Sequence, residues 1–464
     1  MNARILRIEL KRSVAPWAGA VVLTTALGFL YLLNAAWWRG TTAWTAQWTP
    51  MAMWTRALLF YLWPVAVGLG ALQGLRDHRS KMSELLTSTP RPARHRAAAL
   101  AGTTAFMLAS AFGLLVLVGA VQVIANTEYT HLGWLPISLV GGLFLIAGAV
   151  LGMGAGRALP SVLTPPSLAM AAFVFTVLMH SSLGRTQTDS ATGFPSTEPN
   201  RISLLSPTVE EVRNALLTLS ASVHIGQTIW LLGMAATGFA LLVAATARTR
   251  LIALTPVMAG AVIALLVLPS DPRHMYVVDT AAAELVCDGH VCVTRTHQSR
   301  LADLAGPGNK ALRLLHGALG DGAPTSIREN TTVLPHGATP RWSRETVLFS
   351  FDDGIIDAAK GEDLTRAVIA QGMVPGCSFV GWSGTLNDAA AQSIAASWIV
   401  GDLKPLVGSP HSAADQIALA RPVWQKLKAL PRAEQRARID AMHAAAVSCK
   451  GGDAFDVLSG GASR

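Results

Sequence analysis

Charged side chains are scarce in this sequence. Asp, Glu, Lys and Arg make up 14% of its 464 residues, whereas soluble domains carry about 25%. The shortage is greatest in the first 270 positions, where the apolar runs are too long and too free of charge for the helices of a soluble core. This composition predicts a membrane-embedded domain over residues 1–270, followed by a globular domain of ordinary charge density over residues 271–464.

Missing motifs limit the function further. The phosphate-binding pattern GxxxxGK[ST] does not occur, so the chain is not itself an ATPase. The zinc-protease pattern HExxH is missing, and Ser378 and Ser383 lack a nucleophile-elbow context. We therefore assign no catalytic, metal-binding or cofactor-binding residue and do not predict an enzyme. The interiors of the predicted spans contain no Asp, Glu, Lys or Arg, which argues against proton-coupled transport.

The apolar segments themselves predict seven transmembrane helices, because a bilayer core requires about 20 apolar residues per helix. They cover roughly residues 17–33, 57–75, 97–124, 135–156, 162–179, 225–245 and 251–268. The fifth segment is short and follows Pro165-Pro166, so a tilted or partly re-entrant segment is the alternative there. The amino terminus, MNARILRIELKRS, has no apolar run before Trp17, so we predict no cleaved signal peptide.

Basic residues in the short loops predict the orientation, because such residues stay on the cytoplasmic side. They are Arg4, Arg7, Lys11, Arg12, the basic residues of segment 76–96, Arg157, Arg248 and Arg250. All of them fall on one side of the seven-span arrangement, and the opposite side carries Trp37, Trp38, Trp44, Trp48 and Trp54 as an interfacial aromatic belt. We predict a multi-pass cell-membrane protein with a cytoplasmic amino terminus and an extracytoplasmic domain from Asp271 to Arg464.

The cysteines give a separate indication of the compartment. Cys287, Cys292, Cys377 and Cys449 all follow Asp271, and an even number confined to one domain suits an oxidising compartment. A zinc site is the less favoured alternative, since only Cys287 and Cys292 are close in sequence. The turn-forming Asp288-Gly289 between those two predicts that they pair with each other, which leaves Cys377 to pair with Cys449.

The carboxy-terminal domain has the pattern of an α+β fold. MYVVD, AELVCDGHVCVTRT and VLFSF predict strands, residues 386–400, 412–430 and 432–447 predict helices, and residues 306–308, 320–324 and 334–340 predict loops. Asp352, Asp353 and Asp357 are its best carboxylate cluster, for which a solvated loop is the favoured interpretation over an acid/base site. The predicted fold is an α-helical polytopic membrane protein followed by an extracytoplasmic α+β domain.

Three features of the membrane domain have competing interpretations. The loop RDHRSKMSELLTSTPRPARHRAAAL, Arg76 to Leu100, carries six Lys/Arg against two acids, and it either only fixes the topology or also binds a cytoplasmic partner. Gly148, Gly152 and Gly156 form a GxxxGxxxG face that suits close helix contact, either with another subunit or within the chain. Residues 206–223 predict an amphipathic helix along the outer interface, although a plain linker would have the same pattern.

The first 250 residues or so resemble the permease subunits of ABC-2-type ABC transporters. The resemblance rests on the amphipathic stretch RILRIELKRS before the first span and on the linker SELLTSTPRPARHRAAALAG. The paired cysteines of VCDGHVC and AMHAAAVSC are similar to those of actinobacterial permeases that carry an extracytoplasmic appendage. The seventh span departs from the family, in which six are usual.

The resemblance implies a function, partners and a docking loop. The chain would be a permease without cofactors, with export as the default direction. It would bind a separate ABC ATPase subunit, membrane lipid and a second permease chain, in a homodimer or a heterodimer, and no nucleic acid. The ATPase-docking residues would be Ser83, Glu84, Pro90, Arg91, Arg94 and Arg96. The alternatives are a membrane-anchored extracytoplasmic binding or sensing protein and, less favoured, a membrane-bound hydrolase.

Overall fold

The structure is a computed structural model that describes most of the chain. The residues described are 15–32, 43–79, 92–181, 186–188, 195–197, 200–208, 215–271, 274–332, 341–376, 384–449 and 453–460. They form a mainly helical protein with three small β-sheets, of which the four-stranded one lies after residue 270.

The amino-terminal part is a bundle of apolar helices. They are α1 (Ala15–Leu32), α2 (Trp48–Ala57), α3 (Leu59–Gly74), α4 (Arg76–Arg79), α5 (Ala93–Asn126), α6 (Trp134–Ala158), α7 (Thr164–Ser181), α8 (Ala221–Val243), α9 (Ala247–Ile252) and α10 (Thr255–Val267). Each of the seven apolar segments predicted from the sequence is helical over most of its length. Hydropathy alone therefore located these helices.

Length separates the helices of the bundle into two groups. Within the described residues, α5, α6, α8 and the unit formed by α9 and α10 (Ala247–Val267) are long and apolar enough to cross a membrane, and α2 with α3 would make a fifth span bent by 46°. The helices α1 and α7 are apolar but shorter. The coarse prediction of a helical protein with several membrane-spanning helices is confirmed, whereas helix length does not establish seven spans.

The carboxy-terminal part, which we call the carboxy-terminal domain, combines a sheet with helices around its own hydrophobic core. Its four-stranded sheet has the order β5–β6–β7–β8, with β5 (Leu285–Asp288) antiparallel to β6 (Val291–Thr294) and with β7 (Ser326–Glu329) and β8 (Thr346–Phe349) added in parallel. Its helices are α11 (Leu301–Leu319), α12 (Gly354–Asp357), α13 (Gly361–Met373), α14 (Leu386–Val400), α15 (Ala413–Lys428), α16 (Arg432–Ser448) and α17 (Ala454–Ser459).

Two further strand pairs include strands that precede α8 in sequence. Strand β1 (Thr186–Thr188) pairs with β2 (Pro195–Thr197). Strand β3 (Leu217–Leu219) pairs with β4 (Tyr276–Val278), so the chain that leaves the last helix of the bundle returns to the segment that precedes α8. The helix predicted over residues 206–223 is wrong at its carboxyl end, where the ladder with β4 makes residues 217–219 a strand; residues 209–214 lie outside the described residues.

The secondary structure predicted for the carboxy-terminal domain is confirmed in part. The strands around Tyr276, Cys287, Cys292 and Leu348 are present, as are the three predicted late helices. The loop predicted at residues 306–308 is wrong, because these residues lie within α11. The apolar stripe of α11 packs against the sheet and outweighs the local preference of Gly and Pro for a turn.

The cysteines that can be described are disulfide-bonded. Cys287 and Cys292 face each other across the β5–β6 hairpin and form a disulfide, as the Asp-Gly turn predicts, with Gly289 at a φ of 60° in the turn. Cys449 is also disulfide-bonded. Its predicted partner, Cys377, lies outside the described residues.

Candidate functional site

One end of the helix bundle collects basic side chains, and we call it the basic end. It consists of residues 75–79, 92–98, 157–164 and 244–254, where α3, α6 and α8 end and where α5, α7 and α9 begin. Its arginines are Arg76, Arg79, Arg94, Arg96, Arg157, Arg248 and Arg250, and Asp77 is the single acid in these four segments. The Arg250 side chain ties two of the segments together, since Nη1 donates to the Ala158 carbonyl at 2.9 Å.

The predicted docking residues fall at this end as far as the structure describes them. Arg94 is exposed and Arg96 is half-buried in the first turn of α5. Ser83, Glu84, Pro90 and Arg91 lie outside the described residues. The structure thus brings Arg94 and Arg96 together with the arginines that follow α6 and α8, which are separated from them by more than 60 positions.

The glycine face of α6 packs against α3. A Cβ at Gly152 would overlap the carbonyl oxygen of Val67, one at Gly156 would overlap that of Ala71, and one at Gly148 would meet the Trp63 indole. Gly70 and Gly74 of α3 make the same close approach to α6 in return. Small residues on both helices therefore let the two backbones touch. Between the two interpretations of this face, the structure places the three glycines in contact within the chain.

The opposite end of the bundle contains a buried arginine. Arg56 is 2% exposed; its Nε donates to the Pro207 carbonyl at 2.5 Å and its Nη2 to Gln227 Oε1 at 2.6 Å. The Gln227 amide in turn donates to the Leu204 carbonyl at 2.8 Å. This network anchors the segment before α8 to α2. Sequence analysis missed Arg56 because the predicted second span began one residue after it.

The carboxy-terminal domain is attached to this same end through Asp279. The Asp279 amide donates to the Leu216 carbonyl at 2.9 Å, and its carboxylate accepts a hydrogen bond from the Tyr129 hydroxyl at 3.2 Å and lies 4.0 Å from His131 Nδ1. Burial and the neighbouring Asp279 carboxylate raise the pKa of Tyr129 to about 12, and burial lowers the pKa of His131. Both side chains therefore stay neutral at pH 7.

A second attachment runs through Gln47, which precedes α2. Its side-chain oxygen accepts a hydrogen bond from Thr127 Oγ1 at 3.0 Å, at the end of α5, and its amide donates to the Thr296 carbonyl at 3.1 Å. All three residues are buried. A single side chain therefore joins the ends of two helices of the bundle to the domain. No local pattern marked Gln47, because its partners are 80 and 249 positions away.

Beyond Thr296 the polar contacts continue into the domain as a buried cluster. His297 Nδ1 donates to Glu329 Oε1 at 2.6 Å, with the two side chains 7% and 4% exposed. Glu329 Oε2 accepts from the Thr294 amide at 2.7 Å and from its hydroxyl at 2.8 Å. The carboxylate therefore fixes β7 against β6 and the turn that leads to α11. Three hydrogen bonds hold it in a structural role.

The carboxylate cluster noted in the sequence also has structural tasks. Asp353 caps α12 by accepting from the Ile355 amide at 3.1 Å, and burial raises its pKa to about 6. Asp357 pairs with Arg300 at 3.0 Å, and that guanidinium lies over the Phe351 ring. Among the residues that the structure describes, no group of three or more His, Cys, Asp or Glu is placed to hold a metal ion.

Comparison with known protein families, curated proteins and solved structures finds no match to this chain. The functional argument therefore depends on the chemistry of the two ends of the bundle. One end presents arginines from several loops to solvent, and the other holds a folded domain through largely buried hydrogen bonds.

Proposed function

We propose that this protein is the membrane-spanning permease subunit of an ABC transporter, an exporter driven by a separate ATPase subunit. The observation that carries the proposal is the basic end, at which described arginines of the α3–α5, α6–α7 and α8–α9 connections converge. A positively charged surface attracts an acidic surface of a soluble partner and orients it. The arginines come from connections between several helices, so a partner bound there would contact several helices at once.

The orientation is part of the proposal. Short-loop arginines stay in the cytoplasm, so the basic end would face inward and the carboxy-terminal domain outward. The Cys287–Cys292 disulfide supports the outward assignment, since disulfides persist in oxidising compartments. A reversed orientation would put seven arginines outside and a disulfide-bonded domain in the reducing cytosol.

We also propose that the chain crosses the membrane seven times. The helices α1 and α7 have 18 residues each, which corresponds to a rise of about 27 Å against a hydrocarbon core of about 30 Å. A small mismatch of this kind is accommodated by local thinning of the bilayer. The α2–α3 pair would cross as one bent span. The chain would act with a second permease chain, identical or related, and with membrane lipid.

The docking experiment uses charge reversal at the basic end. We expect the triple substitution Arg91→Glu, Arg94→Glu and Arg96→Glu to abolish co-purification of a Walker-motif ATPase and ATP hydrolysis in the purified complex. Arg313→Glu is the matched control, because it reverses an exposed arginine of α11 in the carboxy-terminal domain, outside the basic end. Retained coupling in the triple variant would reduce the loop to a topology signal.

Topology is measured in the same strains, because the arginines can also fix orientation. We expect a tag after Arg464 to be accessible from outside intact cells and a tag after Asn2 to be inaccessible, in the parent and in the triple variant. An inaccessible carboxy terminus in the parent would contradict the seven-span arrangement. The error would then lie with α7, the shorter helix that follows Pro165-Pro166.

A further inference from the structure

A polar cleft opens on the carboxy-terminal domain, away from its contacts with the bundle. It has a volume of about 390 Å³ and lies between α16, the turn after α11 and the segment that leads into β8. This volume is within the range of about 300–1,000 Å³ found for small-molecule sites. The polar side chains that line it are Asp321, Arg344, Glu345, Arg436, Asp440 and His443.

The buried member of this set is His443, which is 8% exposed. Its Nδ1 lies 2.9 Å from the Met373 carbonyl oxygen, and since a carbonyl only accepts, Nδ1 must carry the proton and donate. Burial lowers the pKa of the imidazole, so the ring is neutral at pH 7 and Nε2 is an acceptor. In the described part of the chain nothing donates to Nε2, although it is buried in the lining of the cleft.

The charged side chains that line the cleft with His443 are also available to bind a ligand. Asp440 lies three residues before His443 on α16, and Arg344 lines the same cleft. Arg436 Nη2 donates to the Leu319 carbonyl at 2.9 Å, and this bond holds the guanidinium at the wall of the cleft. Among the described residues, none of the five charged side chains of the lining is in an ion pair. The cleft thus holds two guanidiniums and three carboxylates without salt bridges between them.

We propose that this cleft binds a small zwitterion, an amino acid or short peptide with a free ammonium group and a free carboxylate. The ammonium group donates to His443 Nε2 and to the Asp440 carboxylate. The ligand carboxylate accepts from the guanidiniums of Arg344 and Arg436, the donors best matched to it. A simple anion would meet three carboxylates, and a simple cation would meet two guanidiniums, so only a ligand of both charges is matched throughout.

The proposal does not depend on the transport function and is tested by binding alone. Isothermal titration calorimetry of the full-length protein in lipid nanodiscs at pH 7.5 would use L-alanyl-L-alanine as the probe. N-acetyl-L-alanyl-L-alanine lacks the ammonium group, and L-alanyl-L-alanine amide lacks the carboxylate. We expect the unmodified dipeptide to bind and each blocked form to bind about tenfold more weakly or worse, since each loses a charge-assisted contact.

The variants test the assigned partners. We expect Arg436→Gln and Asp440→Asn, both exposed on α16, to weaken dipeptide binding about tenfold. His443→Leu removes the buried acceptor and should do the same; if it misfolds, the two exposed variants still decide. Arg438→Gln is the matched control, because Arg438 lies on the same helix but pairs with Glu434 outside the cleft lining.

Specific outcomes would overturn the proposal. No measurable binding of the dipeptide would reject the site, and equal binding of a blocked form would reject the zwitterion. An effect of Arg438→Gln as large as that of Arg436→Gln would show that the loss is not local to the cleft.

Discussion

Removal of the Glu329 carboxylate should destabilise the carboxy-terminal domain more than any exposed charge substitution. Glu329 accepts three hydrogen bonds, from His297 Nδ1 at 2.6 Å and from the Thr294 amide and hydroxyl at 2.7 and 2.8 Å. Glu329→Ala removes the acceptor of the buried His297 Nδ1–H and of the Thr294 amide, while the Thr294 hydroxyl keeps Thr296 Oγ1 at 2.7 Å. Loss of one partner from a buried pair costs about 3–5 kcal/mol, so we expect about 4 kcal/mol for this substitution.

Glu284→Ala is the matched control, because Glu284 has an ion pair of similar length in a different environment. Its carboxylate lies 2.7 Å from Arg295 Nη1, but the two side chains are 61% and 51% exposed. Exposed pairs contribute about 0–1 kcal/mol. The two substitutions thus remove the same chemical group from pairs of nearly equal distance, but Glu329 is buried and also accepts from Thr294, whereas Glu284 is exposed.

Hydrogen exchange measured by mass spectrometry on the full-length protein in nanodiscs reports the difference locally. For amides of β6 and β7 that exchange by opening of the domain, a loss of about 4 kcal/mol accelerates exchange on the order of 10³-fold. Glu284→Ala should accelerate it by less than about fivefold. Similar exchange in the two variants would refute the reasoning that burial, rather than ion-pair distance, sets the energy.

The remaining predictions concern pH, helix packing and disulfides. The folded-state pKa of Asp353 is about 6, above the ordinary 3.8. The contribution of its protonated form to the free energy of unfolding is therefore complete below about pH 4 and is lost as the pH rises through about 6. Asp353→Asn keeps the cap and, in urea unfolding, should stabilise the domain by about 1–2 kcal/mol at pH 7.5 but not at pH 4. Gly152→Leu should lower the thermal stability of the bundle, whereas Gly113→Leu, with open space around it, should not. Cys449→Ser should destabilise the domain more than Cys292→Ser, because the chain-entropy model assigns roughly 4 kcal/mol to the loop of the predicted Cys377–Cys449 pair and roughly 2 kcal/mol to the hairpin bridge; chemical denaturation of both variants measures the difference.

Elements with strong local signals were predictable from the sequence. Helix α14 begins and ends at the predicted residues, since Thr385 and Asp388 form a capping box at its start and Gly401 adopts a positive φ after its end. The β5–β6 hairpin follows from the Asp-Gly turn between two apolar runs. In each case the residues that determine the structure are neighbours in the chain.

Elements whose stability comes from distant contacts were not predictable in the same way. The helix α11 continues through Pro307 because Gly308 lies directly on Val291 of β6, where even a Cβ would approach to 2.9 Å. Strand β7 reads SIRE, too polar and too short for a strand signal, and is held by parallel pairing with β6 and β8. Both depend on packing that no sequence window contains.

The residues of the candidate sites also differ in whether local sequence or distant contacts determine them. The arginines of the basic end were predictable because topology alone groups them, through the alternation of spans. Arg56 and Gln47 were not, since each acquires its role from carbonyl or hydroxyl partners at least 80 positions away. His443 was noted only as a scattered histidine. Its importance comes from an unsatisfied nitrogen, which is a property of the folded environment.

The attachments of the domain limit how the bundle can move. Gln47 joins the start of α2 to the end of α5, Asp279 holds the α5–α6 connection, and the β3–β4 ladder holds the segment before α8. These contacts are hydrogen-bonded and largely buried, so separating any two of these helix ends at the domain would leave polar groups unpaired. At the basic end, the contact that joins two described connections is the hydrogen bond from Arg250 to the Ala158 carbonyl. Opening of the bundle at the domain therefore costs the loss of several buried hydrogen bonds at once.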